Sequence, residues 1–149
     1  GIDHVLAEVL PDGKVAEARI LHQKALAVFR TNLEANSASV VRSLIQLAKL
    51  FRRQQKLGKA TKTIREALNV VRKHQGIQTY SYARALVELA EVYLAQRAQE
   101  QAARIMGRAF ELVVKIHGAK HPRTLRVRAR LITLYTALGW KDKLKELRQ

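Results

Sequence analysis

The sequence predicts an all-α fold, an alpha-alpha superhelix of antiparallel helix pairs, and three observations carry that expectation. Alanines recur at one interval: Ala25, Ala67 and Ala109 stand 42 residues apart, and Ala18, Ala60 and Ala102 repeat the step seven residues earlier. Large residues keep the same phase in Leu47, Leu89 and Leu131 and in Phe51, Tyr93 and Tyr135. Finally, two prolines and seven glycines in 149 residues leave little room for hairpins or flexible linkers. A period of this length marks stacked supersecondary units, none able to bury its apolar face alone.

Helices are predicted over 2–10, 14–33, 38–55, 59–75, 80–96, 99–117, 122–138 and 141–148. Val40, Val41, Leu44, Leu47, Ala48 and Phe51 follow the spacing of one helical face. Gly58 is read as the interruption after it. Ala60, Ile64, Ala67, Leu68 and Val71 then restart the spacing until Gly76. Leu86, Leu89, Ala90 and Tyr93 return it, followed by Ala102, Met106, Ala109, Phe110 and Val113 up to Gly118. Gly76 and Gly118 are themselves 42 apart, which supports helix ends there independently of the apolar pattern. Starts are marked by Asn36 and Ser37, by Thr79 and Ser81, and by Pro122. Small alanines let neighbouring backbones approach, and the aromatic column fills the adjacent hollows. The chain is thus read as one repeat domain over 1–149: a partial first repeat over 1–35, repeats over about 36–77 and 78–119, and a truncated one over 120–149. The short first and last helices suggest an excised piece of a longer parent.

An alanine, a large apolar residue four positions on and an alanine three further resemble the tetratricopeptide signature, as in Ala60-Ile64-Ala67 and Ala102-Met106-Ala109. The preceding helix supplies Leu47, Ala48 and Phe51, then Leu89, Ala90 and Tyr93. The 42-residue length, with His121-Pro122, Thr124-Leu125-Arg126, Leu131, Tyr135 and Ala137-Leu138-Gly139, is similar to the longer repeats of kinesin light chain. Two departures limit what that resemblance implies. The paired asparagines usual before the Leu-Ala step are replaced by Ile45-Gln46, Val87-Glu88 and Ala129-Arg130, and Ile45 and Lys49 stand where a carboxylate clamp needs lysine and asparagine. Chaperone-tail binding is therefore disfavoured. Armadillo and HEAT repeats share the period, but they do not explain the seven-residue alanine step beside an aromatic.

The net charge of +16 is unevenly spread: residues 1–50 carry 6 Lys+Arg against 5 Asp+Glu, residues 51–100 carry 10 against 4, and residues 101–149 carry 12 against 3. Such a field draws acidic partners without naming them. The absence of cysteine removes disulfides, thiolate metal sites and thiol nucleophiles, and leans weakly to the cytoplasm. No apolar run reaches the roughly 18 residues of a spanning helix. The five histidines show no metal-ligand spacing and no phosphate loop is present, so neither an enzyme nor a cofactor is expected.

The resemblance implies that the first helix of each pair lines a concave face. Its non-packing residues are then the ligand candidates: Arg42, Gln46, Lys49, Arg52 and Arg53, then Arg84, Glu88 and Glu91, then Arg126, Arg130 and Thr133. Arg42, Arg84 and Arg126 form another 42-residue column, and three planar guanidinium forks suit an extended acidic segment. Glu88 and Glu91 interrupt the basic stripe and suit a basic or amide-bearing ligand residue. The leading expectation is a non-catalytic adaptor binding an acidic or mixed peptide segment, or a partner helix, in the groove. Two rivals are sequence-tolerant RNA or DNA binding by the basic C-terminal half and a self-associating scaffold; for the first, Phe51, Tyr93 and Tyr135 are assigned to the core, which leaves Tyr80, Tyr82 and Trp140 as surface or repeat-junction aromatics.

Overall fold

Helical periodicity becomes burial in the computed structural model, which describes residues 12–148. Its helices are α1 (Asp12–Phe29), α2 (Leu33–Arg53), α3 (Leu57–His74), α4 (Tyr80–Ala95), α5 (Gln99–His117), α6 (Pro122–Leu138) and α7 (Lys141–Arg148), with a 3-10 turn at Arg30–Asn32 between the first two. No strand occurs among the described residues. The helix expected over 2–10 lies outside them.

Short connections make consecutive helices antiparallel neighbours. The pairs α2–α3, α4–α5 and α6–α7 stack through contacts of α3 with α4, of α5 with α6, and of α2 with α4. One continuous core follows. Ala60, Ala67, Ala102 and Ala109 are fully buried in it beside Ile64, Met106 and Leu131. Ala18 and Ala25, on α1 at the edge of the described array, are half-buried.

The aromatic column divides. Phe51 and Tyr135 are buried, whereas Tyr93 is half-buried and its hydroxyl accepts from Arg65 Nη2 at 3.3 Å. At the Arg65 counterpart in the next repeat stands Gly107, where an added Cβ would meet the Tyr135 hydroxyl at 3.1 Å. The tyrosine therefore occupies space that a side chain on α5 would take.

Helix ends repeat as strictly as the core. After each aromatic the chain closes with the same pair of bonds. Lys56, Ala98 and Trp140 donate their backbone N–H to the carbonyls of Phe51, Tyr93 and Tyr135 at 2.8, 2.9 and 3.0 Å. Gln55, Arg97 and Gly139 donate to Arg52, Leu94 and Thr136 at 3.0, 2.9 and 3.1 Å. This Schellman closure requires a left-handed residue, and φ is 61° at Gln55, 63° at Arg97 and 70° at Gly139. Only the third position has the residue suited to it. A left-handed side chain costs about 1–2 kcal/mol, so Arg97→Gly is expected to stabilise the array by about 1 kcal/mol and to raise Tm by about 3 °C. Thermal unfolding followed by circular dichroism checks it; an unchanged or lower Tm overturns it.

Two boundaries differ from the sequence expectation. Gly58 lies in the first turn of α3, and the break falls earlier, at Gln54–Lys56, because the Schellman turn rather than glycine ends α2. Asn36 and Ser37 lie inside α2, which begins at Leu33. The start position is occupied by a working cap in the later repeats: Thr79 Oγ1 accepts from the Tyr82 N–H at 3.3 Å, and His121 Nδ1 from the Arg123 N–H at 3.1 Å. Gly76 and Gly118, at φ of 95° and 86°, precede those caps and turn the chain. The residue 42 before Gly76 is Glu34, which has no such freedom, so the chain passes from α1 through a tight turn directly into α2.

Candidate functional site

Three consecutive first helices, α2, α4 and α6, bring their candidates to one hollow of about 420 Å³. Its apolar wall consists of Ile45, Ala83, Val87, Val113 and Val127, and its cations are Lys49 from α2, Arg84 from α4, and Arg123 and Arg126 from α6. Glu88 of α4 also borders it, with its side chain 4% exposed.

Glu88 is engaged from within the chain. Arg52 Nε donates to its Oε1 at 2.9 Å, tying α2 to α4. Burial raises the Glu88 pKa above the usual carboxylate value, against the hydrogen bond and charge of Arg52 and the charge of Lys49, while Glu91 adds to the rise. One layer on, Arg130 Nε and Nη2 donate to Glu91 Oε1 and Oε2, both at 2.8 Å, tying α4 to α6. Both acidic candidates are thus spent on arginines of the neighbouring layer. The half-exposed Arg130 pair adds at most about 1 kcal/mol and serves more to fix orientation. Positions 49 and 88 are the 42-residue counterparts of 91 and 130, with the charges exchanged.

Of the sequence candidates, Lys49, Arg84, Glu88 and Arg126 meet at the hollow. Arg42 and Arg53 are exposed on α2, and Gln46 is half-buried there; none of the three lines the hollow. Thr133 is exposed on α6, with its hydroxyl donating to the Ala129 carbonyl at 3.1 Å. The arginine column is therefore split, with Arg84 and Arg126 sharing a hollow and Arg42 outside it.

Sequence reasoning missed Arg123 and offered Tyr80 only as a surface or repeat-junction aromatic. The Arg123 guanidinium lies 4.1 Å from the Tyr80 ring centroid, and Tyr80 meets His117 edge-on at 5.1 Å. His117 in turn stacks on His121 at 4.4 Å. Desolvation, with the charges of His121 and Arg123, lowers the His117 pKa below the ordinary imidazole value. Arg123 escapes the column search because its counterpart in the preceding repeat is Ser81. Its one available signal is helical phase, three residues before Arg126.

Family models described as tetratricopeptide repeat match residues 2–73 and 83–123, most of the chain taken together. The chain belongs to the tetratricopeptide repeat family. The array is similar in fold to BtubC (BKLC) from P. vanneervenii, with a TM-score of 0.80 and 20% identity over 91% of this chain and 54% of that one. It is also similar to a kinesin light chain protein of nearly identical tetratricopeptide-like repeats from Podosopora anserina, with a TM-score of 0.75 and 22% identity over 91% of this chain and 64% of that one. Its 42-residue repeats thus stack in the same fold as these arrays. The array spans about half to two thirds of the length of these structures. No curated protein matches the sequence.

Tetratricopeptide arrays serve as protein interaction scaffolds, and the fold is generally non-catalytic. Among the described residues no helix is long and apolar enough to cross a membrane, and no three His, Asp or Glu side chains gather as a metal site.

Proposed function

We propose that this tetratricopeptide array is a non-catalytic adaptor that holds an acidic or mixed peptide segment, or one face of a partner helix, in the hollow between α2, α4 and α6. One observation carries the reading: Lys49, Arg84 and Arg126, from three successive layers, border the same hollow, and none has a carboxylate within ion-pair distance among the described residues. The carboxylate in the wall, Glu88, is already bonded to Arg52. The hollow thus carries an excess of positive charge above an apolar wall, which suits an acidic segment with an apolar anchor. The anchor supplies affinity and the arginines set orientation and on-rate.

Arg84→Glu is expected to weaken an acidic peptide by about tenfold, a loss of about 1.4 kcal/mol, with the helical spectrum and Tm unchanged because Arg84 is half-exposed at the rim. Fluorescence anisotropy with a labelled glutamate-rich peptide measures it. Unchanged affinity removes the assignment. Tight oligonucleotide binding with a steep logarithmic salt dependence, abolished by the same substitution, reassigns the hollow to phosphate.

A further inference from the structure

A second basic hollow lies on the opposite side of α4. At about 100° per residue, Tyr82, Leu86, Leu89 and Tyr93 point nearly half a turn away from Arg84, Val87 and Glu88. They floor a hollow of about 280 Å³ between α3 and α5. Three arginines border it: Arg65 and Arg72 from α3, and Arg108 from α5.

The preceding repeat contains the same groove with a different charge pattern. Between α1 and α3 a hollow of about 330 Å³ is lined by Leu26, Leu44 and Leu47. These stand 42 residues before Leu68, Leu86 and Leu89 of the later groove. In the earlier groove Arg30 is ion-paired with Glu66. Their counterparts are Arg72 and Arg108. A cation–carboxylate pair in one repeat thus becomes two cations in the next.

Among the described residues no carboxylate pairs with these arginines. Arg72 donates to neutral oxygens, Asn69 Oδ1 at 3.4 Å and the Tyr82 hydroxyl at 3.2 Å, and Arg65 donates to the Tyr93 hydroxyl at 3.3 Å. Among the described residues Arg108 has no hydrogen bond or ion pair, and Glu111, one turn further along α5, makes no ion pair with it. One repeat later Gly107 and Val114 stand at the Arg65 and Arg72 positions. The earlier groove also carries Lys59 and Lys62, but it holds Glu66 as well, whereas the later one sets three arginines on a border with no carboxylate.

We infer that the groove between α3 and α5 is a second docking site, which takes an acidic segment of a partner protein. A partner carboxylate there fills the role for Arg72 and Arg108 that Glu66 fills for Arg30. A neighbouring apolar side chain of the partner rests on Leu68, Leu86 and Leu89, and the exposed guanidinium pair is neutralised on binding. The site faces away from the hollow at Arg84 and is independent of it.

The test places the built-in pair back into the groove. Anisotropy with a short fluorescein-labelled peptide alternating glutamate and leucine is measured on the Arg84→Glu protein, in which binding at the hollow between α2, α4 and α6 is already weakened, so that a further loss reports the second groove. Adding Arg108→Glu is expected to weaken the peptide about tenfold. It is also expected to raise Tm by about 2 °C, as Arg72 gains an ion-pair partner on α5 like the one Arg30 has on α3. Arg108→Gln removes the charge without supplying a partner, and is expected to weaken binding about threefold with no gain in Tm. Affinity unchanged in both variants overturns the inference. So does displacement of the peptide by an oligothymidylate at lower concentration than by its own unlabelled copy, since that assigns the groove to phosphate.

Discussion

Replacing Ile64 by alanine is expected to cost the array about 2–5 kcal/mol, the cost of emptying a well-packed core position. Ile64 is fully buried on α3, and α3 packs on both α2 and α4. In a solenoid each layer is stabilised by its nearest neighbours, so a cavity in this helix weakens a pair and a stacking interface together. Urea denaturation followed by circular dichroism gives the value, and Ile64→Val, at about 0.5–1.5 kcal/mol, is the graded control. A loss below about 1 kcal/mol for the alanine variant contradicts the packing of α3 between its neighbours.

Enlarging Ala67 is expected to be nearly as damaging, by the opposite mechanism. Ala67→Leu adds a bulky branched side chain where no surface is exposed, and overpacking in a dense core forces rotamer and backbone shifts that cost about 3 kcal/mol. The contrast lies within the same column, since Ala25 is only half-buried on α1. Ala25→Leu is expected to change stability by under about 1 kcal/mol. Equal losses from the two substitutions in the same denaturation experiment contradict the idea that the column acts through close backbone approach between stacked layers.

The core was readable in the sequence because burial depends on phase, and phase is local. Ala60, Ile64, Ala67, Leu68 and Val71 fall on one face of α3 at any helical geometry, and all five are buried. Ends were less readable. Glycine and cap residues signalled the turns at Gly76 and Gly118, but Gln55 and Arg97 hold the left-handed position without the residue type that announces it. There the closing hydrogen bonds to Phe51 and Tyr93, together with the docking of the next helix, override side-chain preference.

On the candidate surface, the sequence pointed to the helices that border the hollow and could not assign the charges on them. Lys49, Arg84 and Arg126 meet at one hollow, while Arg52 and Arg130, with equal claims by composition, are bound to Glu88 and Glu91. The groove between α3 and α5 was missed altogether. Arg65, Arg72 and Arg108 form no 42-residue column, and their significance appears only against the Arg30–Glu66 pair of the preceding repeat.

By itself, the sequence determined the all-α class, the 42-residue repeat, the buried faces of the helices and a basic surface increasing toward the C-terminus. Each of these depends on residue type and spacing along a single helix. The tertiary structure alone decided which cations are neutralised within the chain and which border a hollow without an ion-pair partner among the described residues. Partners such as Arg52 and Glu88 lie 36 residues apart, and a charge pair at that separation is set by how the layers stack, which no local spacing encodes.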